Sequence, residues 1–208
     1  MKNKIIKPKI SYTEYFNIRE IDYSIDNKEF DQDNIGLCEF DSITINSCIF
    51  NSIDFSNIRF DNIELLDCIF NNCDLSNKSF DKNGINRCEF NNCKLLGVSF
   101  GNSSLKNISF NECNLRYCNF YETKLENVLF NNSVLDEGYF QELSLKNIIF
   151  DKCSLRKFSF LNTKHDIIDL CNSNIEDINF DLISIKNIEV DMIGAAMLSR
   201  YLGVIVKN

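Results

Sequence analysis

Apolar residues return along this chain at every fifth position, and at every second return the residue is phenylalanine. Each tenth residue from Phe30 to Phe160 is Phe, and each midway position from Ile35 to Leu155 is Ile, Leu or Phe. Five residues advance an α-helix by about 500°, which smears such positions around the axis instead of lining one face. In a strand, an odd spacing sends alternate members to opposite faces. The pattern therefore requires a bend between members: a short extended segment, its central side chain pointing inward, then a turn. Four bends of about 90° close a square coil of about twenty residues, and stacked coils pair through parallel backbone hydrogen bonds at roughly 4.8 Å. The expected fold is all-β, a right-handed quadrilateral parallel β-helix. Phe50, Phe70, Phe90, Phe110, Phe130 and Phe150 should superimpose along its interior.

The comb divides the chain. Residues 1–24 lack it and are assigned to an amino-terminal cap, and residues 25–190 to some eight coils. Residues 191–208 form a carboxyl-terminal helix and tail, reading "DMIGAAMLSRYLGVIVKN". A cap is needed at each end because a solenoid leaves an unpaired sheet edge there. Asp191 is the expected N-cap, 192–202 the helix and Gly203 its stop. That helix is apolar nearly all round, with Ile193, Met197 and Tyr201 on one side and Ala195, Leu198 and Leu202 on another. A helix apolar on every face is normally buried. A two-fold dimer joined through Ile193, Met197, Leu198, Tyr201 and Leu202 at the carboxyl ends satisfies this; a self-contained cap folded over by "VIV" is the alternative.

Units such as "CDLSN" (73–77), "CKLLG" (93–97) and "SLKNISF" (104–110) resemble the pentapeptide-repeat consensus, which implies the same square β-helix. The ending "AAMLSRYLGVIV" is similar to the carboxyl terminus of quinolone-resistance pentapeptide-repeat proteins of the Qnr and MfpA type. That resemblance implies a dimer of roughly duplex-DNA width. It also implies binding to type II topoisomerases (DNA gyrase and topoisomerase IV) as a DNA mimic, with relief of quinolone poisoning. At the turn position this chain mostly places asparagine (Asn57, Asn62, Asn72, Asn77, Asn92, Asn107, Asn127, Asn132, Asn147), which tolerates positive φ.

The candidate chemistry recedes once the register is applied. Nine of the ten cysteines fall two residues before a central residue, where a small inward side chain is wanted. Cys73, Cys93 and Cys113 should stack in one column, with parallel Cβ vectors that disfavour disulfides. They read as small hydrophobes in a reducing compartment. His165, the only histidine, occupies an inward slot of the one irregular unit, 161–170, and no partner for catalysis is evident. No enzyme, no cofactor and no metal site is expected. No apolar run is long enough to span a membrane, and the amino terminus lacks a secretory core, so a cytoplasmic location is expected.

Function then falls to the surface. A net charge of −8 argues against direct nucleic-acid binding and favours a basic protein groove. Asp41, Asp61 and Asp81 fall in one outward column with Glu39 beside it, and Tyr121, Tyr139 and Leu161 lie on the same wall nearer the carboxyl end. An adjoining wall carries Lys106, Lys124, Lys146, Lys164 and Lys186. Asn51, Asn71, Asn91, Asn111 and Asn131 should form an amide ladder. Besides the topoisomerase reading, these features also suit an interaction scaffold whose partner has nothing to do with DNA.

Overall fold

The computed structural model describes residues 4–15, 24–35 and 39–207. The comb winds into about eight turns of parallel sheet. Each residue pairs with the one twenty positions on, so Phe50, Phe70, Phe90, Phe110, Phe130 and Phe150 are in register. Their rings pile into one column with Phe30 at its foot, successive centroids 4.6 to 5.1 Å apart. An offset stack of this spacing suits the aromatic quadrupole.

The facing column departs from that order at one level. Phe80, Phe100 and Phe120 stack, but Phe140 stands edge-on to Phe120 and to Phe160, at 80° and 77°. Phe158 causes this. It places a large ring in the slot that otherwise holds a small residue, 5.0 Å from Phe140 and at 84° to it. One coil below, the same slot is Gly138, where a Cβ would stand 2.6 Å from Cys118 Sγ and 3.0 Å from the Phe158 ring.

Where that slot holds Cys, Ser or Thr in place of Ile or Val, the side chain also donates a hydrogen bond. The thiols of Cys73, Cys93 and Cys113 donate to the carbonyls of Phe50, Phe70 and Phe90 at 3.5, 3.4 and 3.3 Å. The hydroxyls of Thr123 and Ser133 do the same to Phe100 and Phe110 at 2.7 and 3.1 Å. This is why Cys, Ser and Thr interchange there. Cys38 lies outside the described residues; of the others, all but Cys171 are buried, and all are free thiols. Burial, then the neighbouring Cys68 thiol, push Cys48 up to about 12, and burial pushes Cys153 up to about 11.

The corners bend through left-handed residues, and here side-chain preference counts for less than position. Asn62, Asn72, Asn77, Asn92, Asn107, Asn127, Asn132 and Asn147 do adopt positive φ, but so do Lys82, Glu112, Tyr117 and Glu142 at equivalent places. Asn57 does not, contrary to expectation. The stacked backbone bonds impose the left-handed corner, and each non-glycine there costs about 1–2 kcal/mol that the packed core offsets.

Both ends of the comb differ from a plain repeat. Gln32–Ile35 is a single helical turn, with the Asp31 carboxylate accepting the Asp33 N–H at 3.0 Å. At the other end Asp181 accepts the N–H groups of Ile183 and Ser184 at 3.0 and 2.8 Å, and the Ile185 N–H closes on the Asp181 carbonyl. In each case an Asp directly after a comb phenylalanine caps a turn, yet Ile35 remains buried.

The amino-terminal segment does more than cap. Glu14–Tyr15 pairs with Lys28–Glu29 and covers the lowest sheet edge. Upstream of it the chain runs along the outside of the stack. The Lys9 N–H donates to Asp67 at 2.9 Å, and Lys7 Nζ lies 3.6 Å from Glu89, two and three coils above. Residues 16–23 lie outside the described residues.

Candidate interaction surface

Every side chain on the stack has its spatial neighbours twenty residues away, so each expected surface group must be judged by what stands above and below it. Glu39, Asp41 and their partners Arg59 and Asp61 are in register on one wall. Asp41 is exposed and accepts hydrogen bonds from Ser42 and Asn62. Asp81, the third member of the expected acidic column, is turned to internal use. Its carboxylate accepts the Gly101 N–H at 2.6 Å and the Ser99 hydroxyl. Gly101 makes this close approach possible, since a Cβ there would stand 3.1 Å from the carboxylate.

Higher on the same wall, Tyr121 and Leu161 share a column through Gln141, and Tyr139 lies two residues aside. All three are half-buried. The Tyr121 hydroxyl donates to the Glu122 carboxylate at 3.1 Å. The hydrogen bond to Glu122, with Glu142 adding to it, raises the phenol above its ordinary range. Glu122 and Glu142 occupy the same corner in successive coils, both exposed. They extend the acidic surface and were missed from sequence because that slot was read only as a turn position.

The lysine wall is less basic than expected. Glu126 stands between Lys106 and Lys146, 3.2 Å from each. Both lysines hold the Glu126 carboxyl below its ordinary range, Lys146 most strongly. The amide ladder is present: Asn71, Asn91, Asn111 and Asn131 each donate to the asparagine one coil below at 2.9 to 3.3 Å, and Asn51 donates to Glu29 at 2.8 Å. A parallel ladder joins Asn107, Asn127 and Asn147.

The carboxyl end sorts its residues into two faces. Asp191 caps the helix Met192–Leu198 by accepting the Gly194 N–H at 2.7 Å, and a tighter 3₁₀ turn, Ser199–Leu202, follows, ended by Gly203 at φ +73°. Leu198 and Tyr201 turn inward onto the last coil. The Tyr201 hydroxyl donates to the Ile178 carbonyl at 2.6 Å and accepts the Phe180 N–H at 3.1 Å. Within a single chain these two residues, expected at a dimer interface, are half-buried against the last coil. The outward set is Ile193, Met197 and Leu202, which are 66%, 38% and 79% exposed, joined by Met192, Leu182 and Ile183.

His165 is half-buried, its ring nitrogens 2.6 and 2.8 Å from the carbonyls of Asp166 and Ser184. It staples the irregular coil to the last one. Among the described residues, no group of three His, Cys, Asp or Glu side chains converges on a metal-sized site, and no helix is long and apolar enough to cross a membrane.

Residues 63–140 match the model of the pentapeptide repeat region. No curated protein matches the chain. Among solved structures, two trypsin-treated forms of QnrB1, a plasmid-mediated fluoroquinolone resistance protein, are similar. One aligns with a TM-score of 0.68 at 21% identity and the other with 0.52 at 20%; each alignment covers 88% of this chain and 90% of the other. At that identity the likeness establishes the fold.

Proposed function

We propose that this chain, whose repeat region and β-helix are those of pentapeptide-repeat proteins, acts through its surface by occupying the DNA-binding groove of a type II topoisomerase. DNA gyrase or topoisomerase IV is the partner, and the outcome is protection from quinolones. The observation that carries this reading is the fold likeness to a fluoroquinolone resistance protein along 88% of the chain, joined to a net charge of −8. Asp41, Glu122 and Glu142 project acid from the stack as phosphates project from a duplex. Like charges repeated along a rod repel one another, and a basic groove relieves that repulsion. The half-buried Tyr121, Tyr139 and Leu161 supply contact area beside the acids.

The proposed working form is a homodimer joined at the carboxyl ends. Ile193, Met197 and Leu202 form its contact face; Tyr201 and Leu198 hold the helix in place beneath. Exposed apolar surface of this kind, concentrated at one end, marks an association site. A general interaction scaffold is the second reading. The use of Asp81 within the stack and of Glu126 between two lysines favours it, because both reduce the acid available for imitation of DNA.

A gyrase supercoiling assay, with and without ciprofloxacin, tests the first reading. The protein should inhibit supercoiling at high concentration and lower drug-stabilised cleavage at modest concentration. Unchanged supercoiling together with unchanged cleavage leaves the scaffold.

A further inference from the structure

The segment from Lys4 to Ile10 reads KIIKPKI and lies across the outside of the stack instead of within it. Proline offers no N–H and holds the residue before it extended, which suits a segment outside any ladder. Ile5, Pro8 and Ile10 are half-buried, whereas Lys4, Lys7 and Lys9 are exposed. The segment therefore has a covered apolar side and an exposed basic one.

Its contacts climb through three successive coils. The Ser47 hydroxyl donates to the Lys9 carbonyl at 3.5 Å, the Asp67 carboxylate accepts the Lys9 N–H, and Glu89 faces Lys7 Nζ. The stack breaks its polar pattern at this place. Leu66 stands between Asn46 and Asn86, and Ile49 and Ile69 stand between Glu29 and Glu89. All three face outward, since their chain neighbours Leu65, Cys48, Phe50, Cys68 and Phe70 fill the core, and all three are half-buried. An apolar strip bordered by Asp67 and Glu89 complements a segment with isoleucine on one side and lysine on the other.

The hold is loose. Residues 4–13 belong to no strand, and the Lys7 side chain is 80% exposed. An ion pair so exposed is weak and is screened by salt. Asp67 keeps its two hydrogen bonds from Arg87 when the segment leaves, so lifting strands no buried charge. Glu14 and Tyr15, paired with Lys28 and Glu29, stay behind as the tether.

We infer that this strip is a docking groove for an extended, lysine- and isoleucine-rich segment of a partner protein, and that residues 4–10 occupy it as an internal pseudo-ligand until the partner displaces them. The groove lies one corner round from Glu122 and Glu142 and requires no topoisomerase, so it stands apart from the function proposed above. A cover closed ninety-nine times in a hundred lowers a competitor's apparent affinity about a hundredfold. How firmly the cover sits therefore sets how strongly the partner binds.

The probe is a fluorescently labelled peptide KIIKPKI, titrated by anisotropy into the full-length protein. Lys7→Glu with Lys9→Glu sets acid against Glu89 and Asp67. It should loosen the cover and tighten peptide binding at least tenfold over the parent. In that loosened protein Ile69→Asp, on the strip, should weaken binding at least tenfold, while Ile149→Asp, higher in the same outward column, should leave it unchanged. A peptide with glutamate in place of its lysines should not bind. In the parent, saturating peptide should free the Lys9 N–H and speed its amide exchange at least tenfold, which reads the cover without any substitution. Equal affinity for parent and loosened protein overturns the proposal, as does binding that Ile69→Asp leaves intact. A bound peptide that leaves Lys9 exchange unaltered overturns it too.

Discussion

Replacing Phe90 by leucine takes one ring from the middle of a column. Phe90 is fully buried, with ring centroids of Phe70 and Phe110 at 4.9 and 5.0 Å. Phe110 in turn stacks on Phe90 and, at 5.1 Å, on Phe130. Each ring pair contributes about 0.5–1.5 kcal/mol beyond the area it buries. Phe90→Leu breaks two stacks and Phe110→Leu breaks two, but the double variant breaks three, because the 90–110 pair is shared. The double variant should therefore be less destabilised than the sum of the singles by about one stack, roughly 0.5–1.5 kcal/mol. Phe50→Leu with Phe130→Leu is the control. Those residues share no partner, stacking on Phe30 and Phe70 and on Phe110 and Phe150 respectively. Their effects should add to within about 0.5 kcal/mol. Urea unfolding followed by circular dichroism supplies the four free energies of each cycle, provided the slope is constant across the set. Strict additivity in the neighbouring pair, or strong coupling in the distant one, would refute a core whose energy resides in nearest-neighbour stacking.

Three further outcomes follow from individual sites. Asn83 sits in the small inward slot, its side-chain oxygen accepting the Ile63 N–H while its Nδ2 is buried without a partner. Asn83→Thr places there the residue found at 123 and 163, and should raise stability by about 1 kcal/mol in thermal or urea unfolding. Burial pushes the Asp67 carboxyl up, but the two hydrogen bonds from Arg87, at 2.7 and 2.6 Å, and the Lys9 N–H outweigh it and hold it below its ordinary range. The stabilisation is present above the unfolded carboxyl value, about 3.9, and is lost as pH falls through the lowered one. The advantage of the parent over Asp67→Asn should shrink steadily below about pH 4, and an advantage that grows with acid would reverse the assignment. Among the described cysteines, a maleimide should label exposed Cys171 in the folded protein, more slowly than a free thiol because the Asp169 carboxylate raises its pKa, and the buried thiols only on unfolding, which peptide mapping by mass spectrometry reads directly.

The interior was legible because period five leaves one solution: Phe70, Phe90 and Phe110 have nowhere to go but the axis. The amide ladder from Asn51 to Asn131 followed from the same twenty-residue register. Surface roles were harder to read, because a residue's meaning depends on the one above it. Asp81 looks like a free acid until Gly101 is seen to admit its carboxylate, and Lys106 and Lys146 look like free cations until Glu126 is placed between them. The carboxyl helix was found with its cap and its stop, but not its orientation. Tyr201 faces inward because its hydroxyl satisfies the last coil's Phe180 N–H and Ile178 carbonyl, a demand set by the coil and not by the helix pattern. The turns at Asp31 and Asp181 left no distinguishing signal, because Asp41, Asp61 and Asp151 also directly follow comb phenylalanines and yet end strands.

Direct competition with DNA tests the proposed mimicry most closely. A fluorescently labelled duplex bound to gyrase should lose its anisotropy as the protein is added, and the protein's own affinity for gyrase, measured without DNA, should fall between about 50 and 200 mM salt as exposed carboxylates are screened over about 10 Å. Glu122→Lys with Glu142→Lys should weaken that displacement at least tenfold while the fold, read by circular dichroism, is unchanged. Duplex that stays bound at saturating protein, or displacement indifferent to charge reversal, would contradict the account.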